Sequence, residues 1–204
     1  MFFKYFYSLN VYITFLIAVV AILGDYIVAH LKIHIFQAIF DNATHAIIGG
    51  LSWFLVCINY KTELRSSYVI LEIGICSFLS SFIDVDHFIA AKSLSLTKAT
   101  HLSRRPLLHC STFPLLTCIL FLLLSYIFQW PVIKRYTLIV FTAFASHHTR
   151  DATRRGYWLY WYGSTPPIPY GVYVLITCII PYFVYYTCKY TDVDSVGYRK
   201  LSVI

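Results

Sequence analysis

Apolar residues in this chain come in long runs, without the polar stripes of a water-soluble helix or the alternation of a half-buried strand. A helix that crosses a bilayer needs about 20 mostly apolar residues. Six stretches approach or meet that length: 11–29, 42–60, 68–90, 106–129, 132–149 and 168–188. The fourth opens on Pro106, where a missing N–H at the first helical position does no harm. The fifth carries Lys134 and Arg135 near its start, and the sixth contains Pro181, where a kink is predicted. The first run is long enough to span, and no A-x-A cleavage pattern follows it, so it reads as a helix rather than a signal peptide. The pattern predicts an all-α fold, a multi-pass transmembrane helical bundle of about six helices, as a single integral membrane domain over 1–204 with a mixed-charge tail at 189–204.

Composition strengthens that picture. Hydrophobic residues make up 59% of the chain and charged residues 12%, against about half and a quarter in a soluble domain. The net charge of +7 does not point to nucleic acid, because Lys and Arg stand singly or in pairs between apolar runs. The six cysteines form no C-x-x-C pair and sit mostly within apolar runs, where Cys acts as a small hydrophobe.

The ionisable residues change the picture most. All eight histidines (His30, His34, His45, His87, His101, His109, His147, His148) fall in the first, third and fifth connections or at the adjoining helix ends. Five acids, Asp25, Asp41, Asp84, Asp86 and Asp151, fall there too, while Glu63, Glu72, Asp192 and Asp194 lie towards the other face. Asp41 and His45, His147 and Asp151, and Arg105 and His109 are each four apart, which places each pair on one face of a helix. Ionisable groups are costly in a membrane and mark bundle interiors, wet cavities and function. Imidazole and carboxylate together suit transition metals, and mixed His/Asp ligation with an open position generates a hydroxide near neutral pH. Arg104, Arg105, Arg150, Arg154 and Arg155 surround the group, and the planar guanidinium fork matches phosphate and carboxylate. His30, His34 and His101 read as solvated interface residues, and Asp25 either joins the site or pairs locally. Trp53, Trp130, Trp158 and Trp161 read with nearby tyrosines as an interface belt.

Four ordered segments carry a family resemblance: DNATHAIIGGLSW at 41–53, SFIDVDHF at 81–88, SRRPLLHCST at 103–112 and SHHTRDATRRG at 146–156. Together they resemble the animal transmembrane protein 267 family. That family is in turn similar, more distantly, to the bacterial YdjM-like inner-membrane proteins, whose predicted activity is metal-dependent hydrolysis. Thr44-His45, the run Asp84-Val85-Asp86-His87, the pair Arg105 and His109, and Ser146, His147 and Asp151 match the bacterial pattern. Arg104, Pro106, Leu108 and Cys110 depart from it, standing where that pattern has His, Gly, Thr and Ser.

The resemblance implies a divalent metal ion (zinc, manganese or iron) bound among His45, Asp86, His87, His109, His147 and Asp151, as ligands or as partners that orient them. Asp84 or Asp41 would orient a ligand or act as general base, and Arg105 would hold an anionic group of a lipid or phosphate-bearing substrate. The alternative is a non-enzymatic membrane protein in which the same residues form a structural or metal-binding network. Transport fits less well, since no pair of interrupted helices repeats in two halves.

Overall fold

The computed structural model describes residues 2–60 and 66–191, with side chains placed over 8–60 and 67–191. Glu63, Asp192, Asp194 and the rest of the tail lie outside the described residues. Eight α-helices follow one another: α1 (Phe2–His30), α2 (His34–Tyr60), α3 (Ser66–Phe82), α4 (Val85–Ala91), α5 (Leu96–Thr100), α6 (Thr112–Ile127), α7 (Pro131–Arg155) and α8 (Tyr170–Thr191). A 3-10 turn at Leu107–His109 precedes α6, and a two-stranded hairpin, β1 (Trp158–Leu159) against β2 (Gly163–Ser164), joins α7 to α8.

Each of the six predicted runs supplies a helix, and the fold is an all-α bundle. Among the described residues, four helices are long and apolar enough to cross a membrane: Ser8–His30, His34–Tyr60, Ser67–Ala91 and Tyr170–Thr191. The other two predicted spans depart from that standard for different reasons. The α6 helix is apolar but only 16 residues long, and α7 carries Lys134 and Arg135 at one end and Arg150, Asp151, Arg154 and Arg155 at the other. The bundle buries Lys134 and Arg150, because α7 packs against α2, α3, α6 and α8, while Arg154 and Arg155 stay exposed.

Where the helix ends differ from the sequence expectation, polar residues have competed with the helix. The third run breaks after Phe82, and α4 restarts at Val85 with Asp84 at its N-cap. The fourth does not start at Pro106, so Arg105 and His109 do not share a helix face as predicted. Instead, the Leu108 N–H donates to the Asp86 carboxylate at 2.8 Å and the Ser111 N–H to the Trp158 carbonyl at 2.8 Å. These bonds hold 106–111 in a tight turn, and α6 begins only at Thr112. The fifth helix runs on to Arg155, past its expected end at 149, because Arg150 and Arg154 find carboxylates on α1 and α2.

Two apolar clusters hold the bundle together. Trp53, Cys76, Ile139 and Val184 join α2, α3, α7 and α8, while Ile17, Ile48 and Tyr173 join α1, α2 and α8. Small residues permit the closest approach, as is usual between membrane helices. A Cβ on Gly49 would lie 2.7 Å from the Ser80 Cβ, so α2 and α3 meet here at near-backbone distance. After α7 the chain turns at Gly156, whose φ is +69° and where a Cβ would meet the Thr165 carbonyl oxygen at 1.8 Å. Cys57, Cys76, Cys110, Cys118 and Cys188 are buried and unpaired, and Cys178 is half-buried and unpaired.

Candidate metal centre

The breaks and extensions just described converge at one end of the bundle. The bend between α3 and α4 supplies Asp84 and the following residues Asp86 and His87. The 3-10 turn supplies His109, and the last turns of α7 supply His147 and Asp151. Four atoms meet: His109 Nε2, His147 Nε2, Asp84 Oδ1 and Asp151 Oδ2. The two nitrogens are 3.3 Å apart. His109 lies 3.4 Å from Asp84 and 3.3 Å from Asp151, and His147 lies 3.6 Å and 3.4 Å from the same two oxygens. Donors placed tetrahedrally about 2.0–2.2 Å from a metal stand about 3.3–3.6 Å from one another. Five of the six donor–donor distances therefore match the spacing of a four-coordinate ion, and all four atoms lie within 4.8 Å of one another.

Both imidazoles are held from behind. His147 is fully buried, and its Nδ1 donates to the Ser80 carbonyl at 2.8 Å, which turns Nε2 towards the group. His109 presents Nδ1 to the Asp86 carboxylate, 3.2 Å from Oδ1 and 3.3 Å from Oδ2. This is the carboxylate–histidine arrangement that fixes the ring of a metal-binding imidazole. Burial alone would lower the His109 pKa. Hydrogen bonds with Asp151, Asp84 and Asp86 outweigh burial and push it up to about 11. Without a metal, then, these carboxylates draw a proton onto the ring.

The other predicted residues occupy distinct places. His87 Nδ1 lies 3.3 Å from Asp86 and 3.8 Å from Asp84, and Asp86, His87 and His109 make a second close trio. His45 is stacked on His147 with ring centroids 3.8 Å apart and lies 3.6 Å from Asp151. Asp41 is held by guanidinium groups, with Oδ1 2.7 Å from Arg150 and 2.5 Å from Arg154. The buried Arg150 also reaches Asp25 at 2.9 Å, which ties α1 to α7. His148 is satisfied by the Leu108 carbonyl and Ser111 hydroxyl at 2.9 Å and 3.0 Å. Exposed His30 and His101 bond only to neighbouring groups within their own segments.

A cleft of about 660 Å³ opens over the group, and Asp84, His87, His109 and Asp151 form part of its lining. Arg105, Arg154 and Arg155 line it as well, and the Arg105 guanidinium is steadied by a 2.9 Å bond to the Gly156 carbonyl. Ile35, Ile39, Phe88 and Leu94 give it an apolar wall. Ile35, Ile39 and Leu94 are exposed at the surface of the bundle.

One participant escaped sequence reasoning, the Ser80 carbonyl, which had no signal since any residue carries one. Asp25, expected either to join the site or to pair locally, pairs with Arg150, 125 positions away.

Transmembrane protein 267 of Bos taurus is 37% identical to this chain over 160 residues, covering 76% of the chain and 70% of that protein. The chain belongs to the transmembrane protein 267 family. The family proteins of Mus musculus and Xenopus laevis are each 39% identical, over 150 and 149 residues, and the match spans 66% of each of them. No family model and no solved structure matches the chain. The family name agrees with the apolar helices, and the chain is an integral membrane protein.

Proposed function

We propose that this protein is a membrane-embedded, metal-dependent hydrolase of a lipid or other phosphate-bearing substrate. The observation that carries this reading is the tetrahedral spacing of Asp84, His109, His147 and Asp151 at the cleft. The nitrogen and oxygen donor set suits zinc first, with manganese and iron as further candidates. Bound there, such an ion supplies Lewis-acid polarisation and makes water nucleophilic near neutral pH. The resemblance to YdjM-like proteins read from the sequence at 44–45, 84–87, 105, 109 and 146–151 implies the same class of chemistry. The departures at Arg104, Pro106, Leu108 and Cys110 leave His109 in the group.

The geometry redistributes the roles expected from sequence. Asp84 serves as a metal donor rather than as an orienting group or base. Asp86 serves as the partner that orients His109 rather than as a donor to this ion. His87 lines the cleft with Nδ1 beside Asp86, which leaves Nε2 to take or deliver a proton. Arg105 binds the anionic group, and the apolar wall takes the hydrocarbon of an amphiphile. Asp41 closes an arginine brace.

The structural alternative draws support from the ladder of Asp25, Arg150, Asp41 and Arg154, which braces helices without any ion. The two readings part on metal content and turnover. Elemental mass spectrometry of the detergent-purified protein is expected to find a divalent metal that is lost in both His147→Ala and Asp151→Ala. A screen of phosphate mono- and diesters of diacylglycerol is expected to give hydrolysis lost with it. Unchanged metal content in both variants sinks the assignment.

A further inference from the structure

The cluster holds more donors than one tetrahedral ion can use. His45 is 1% exposed, and neither its Nδ1 nor its Nε2 has a hydrogen-bond partner. A neutral imidazole has one donor and one acceptor, and a buried polar group is normally paired. Stacking on His147 fixes the plane of the His45 ring. Its Nε2 lies 3.6 Å from Asp151 Oδ1 and 4.0 Å from Asp41 Oδ2. The opposite oxygen of Asp151, Oδ2, already faces His109 and His147. The two oxygens of one carboxylate thus address two separate sets of imidazoles.

That placement suits a carboxylate shared by two cations, as in hydrolytic centres whose ions lie about 3.5–4 Å apart. A direct proton-transfer role for His45 fits less well, because it is not among the residues that line the cleft. Charge favours a second ion too. Asp25 and Asp41 offset Arg150 and Arg154. Asp84, Asp86 and Asp151 remain, three negative charges that one divalent ion offsets only in part. A second divalent ion, beside Arg105 and Arg155 at the cleft, strengthens the attraction for an anion.

We propose that His45 Nε2 and Asp151 Oδ1 hold a second divalent cation, so that Asp151 bridges a two-cation centre. The proposal rests on the assignment of Asp84, His109, His147 and Asp151 as the first site. Two cations of this kind grip both the attacking and the leaving oxygen of a phosphoester, which narrows the substrate class to phosphoesters.

The test uses the full chain in detergent, stripped with chelator, reloaded with Mn(II) and desalted. Elemental analysis is expected to give two Mn(II) per chain, and electron paramagnetic resonance a spin-coupled pair. His45→Phe keeps a ring stacked on His147 and is expected to hold one ion with an uncoupled six-line signal. One ion in both proteins overturns the second site and leaves the first. One ion in the wild type that His45→Phe loses puts His45 in a single site and also overturns the proposal. Two ions in both proteins move the second site away from His45, towards Asp86, His87 and His109. No ion in either protein overturns both this proposal and the reading on which it rests. Should His45→Phe fail to fold, the wild type alone decides: two ions without spin coupling exclude the shared carboxylate.

Discussion

Two buried charge clusters sit near opposite ends of the bundle, and their chemistry differs in kind. At one end, Glu72 of α3 meets Arg135 of α7 through two contacts, one of them Nη2 to Oε2 at 2.6 Å. Trp53 donates its indole N–H to the same carboxylate at 3.2 Å, and the guanidinium lies 5.7 Å and 5.8 Å from the ring centres of Trp53 and Tyr60. Charge is balanced there, and both Glu72 oxygens are occupied. At the other end, three carboxylates crowd His109, and the Nε2 atoms of His109 and His147 lie 3.3 Å apart. The contrast is between a cluster that closes on itself and holds helices together and one whose carboxylates outnumber their partners at an open cleft.

The largest effect that could break this comparison lies at the closed end. Glu72→Ala leaves the Arg135 guanidinium buried without its counter-charge, a loss of about 3–5 kcal/mol in stability. Denaturant unfolding in detergent should show it, while the paired replacement Glu72→Leu with Arg135→Met should recover most of the loss. Wild-type stability in Glu72→Ala would remove the distinction between brace and site.

The open end should respond in the opposite sense. Asp84→Asn removes one of four donors and is expected to weaken metal binding at least about 100-fold, the upper end for disturbing the support of a ligand. In chelator-treated protein the same variant should lose no more than about 1 kcal/mol, because the attraction to His109 that it removes is offset by relief of repulsion among Asp84, Asp86 and Asp151. A parallel loss of metal and metal-free stability would make this end a brace as well. Asp86→Asn tests the tier behind the donors. It is expected to weaken the metal about 10- to 100-fold without abolishing it, since the His109 ring loses orientation but keeps Nε2. Metal titration after chelator treatment measures both variants.

The sequence made the closed and open ends unequally legible. Length and apolarity marked the helices, because a bilayer demands both, and the lean of every histidine to one face marked where the site would be. Helical spacing also paired His147 with Asp151, since both do lie on α7. Spacing misled at Arg105 and His109, where the Asp86 carboxylate captures the Leu108 N–H and holds the chain in a 3-10 turn. It could not divide Asp84 from Asp86, because the bend after Phe82 decides which carboxylate faces the imidazole Nε2 atoms. The Glu72 brace was overlooked altogether: its partners come from three helices, and nothing local in 53, 72 or 135 announces them.

The smallest of these effects concerns the substrate and leaves the metal untouched. Arg105 lines the cleft beside the four donors, and no carboxylate pairs with it among the described residues; its Nη1 donates only to the neutral Gly156 carbonyl. The positive charge is therefore available to an incoming anion, whereas Arg150 and Arg154 spend theirs on Asp25 and Asp41. One charge-assisted hydrogen bond contributes about 1.5–3 kcal/mol, so Arg105→Gln is expected to cut binding or turnover of a phosphate-bearing lipid by at least about tenfold. Arg105→Lys keeps the charge but loses the planar fork and should recover only part of that. Both variants should keep wild-type metal content and unfold at the wild-type denaturant concentration. A loss of metal in Arg105→Gln would place this arginine in the support of the ion instead, and equal substrate binding in all three proteins would leave Arg155 to meet the anion.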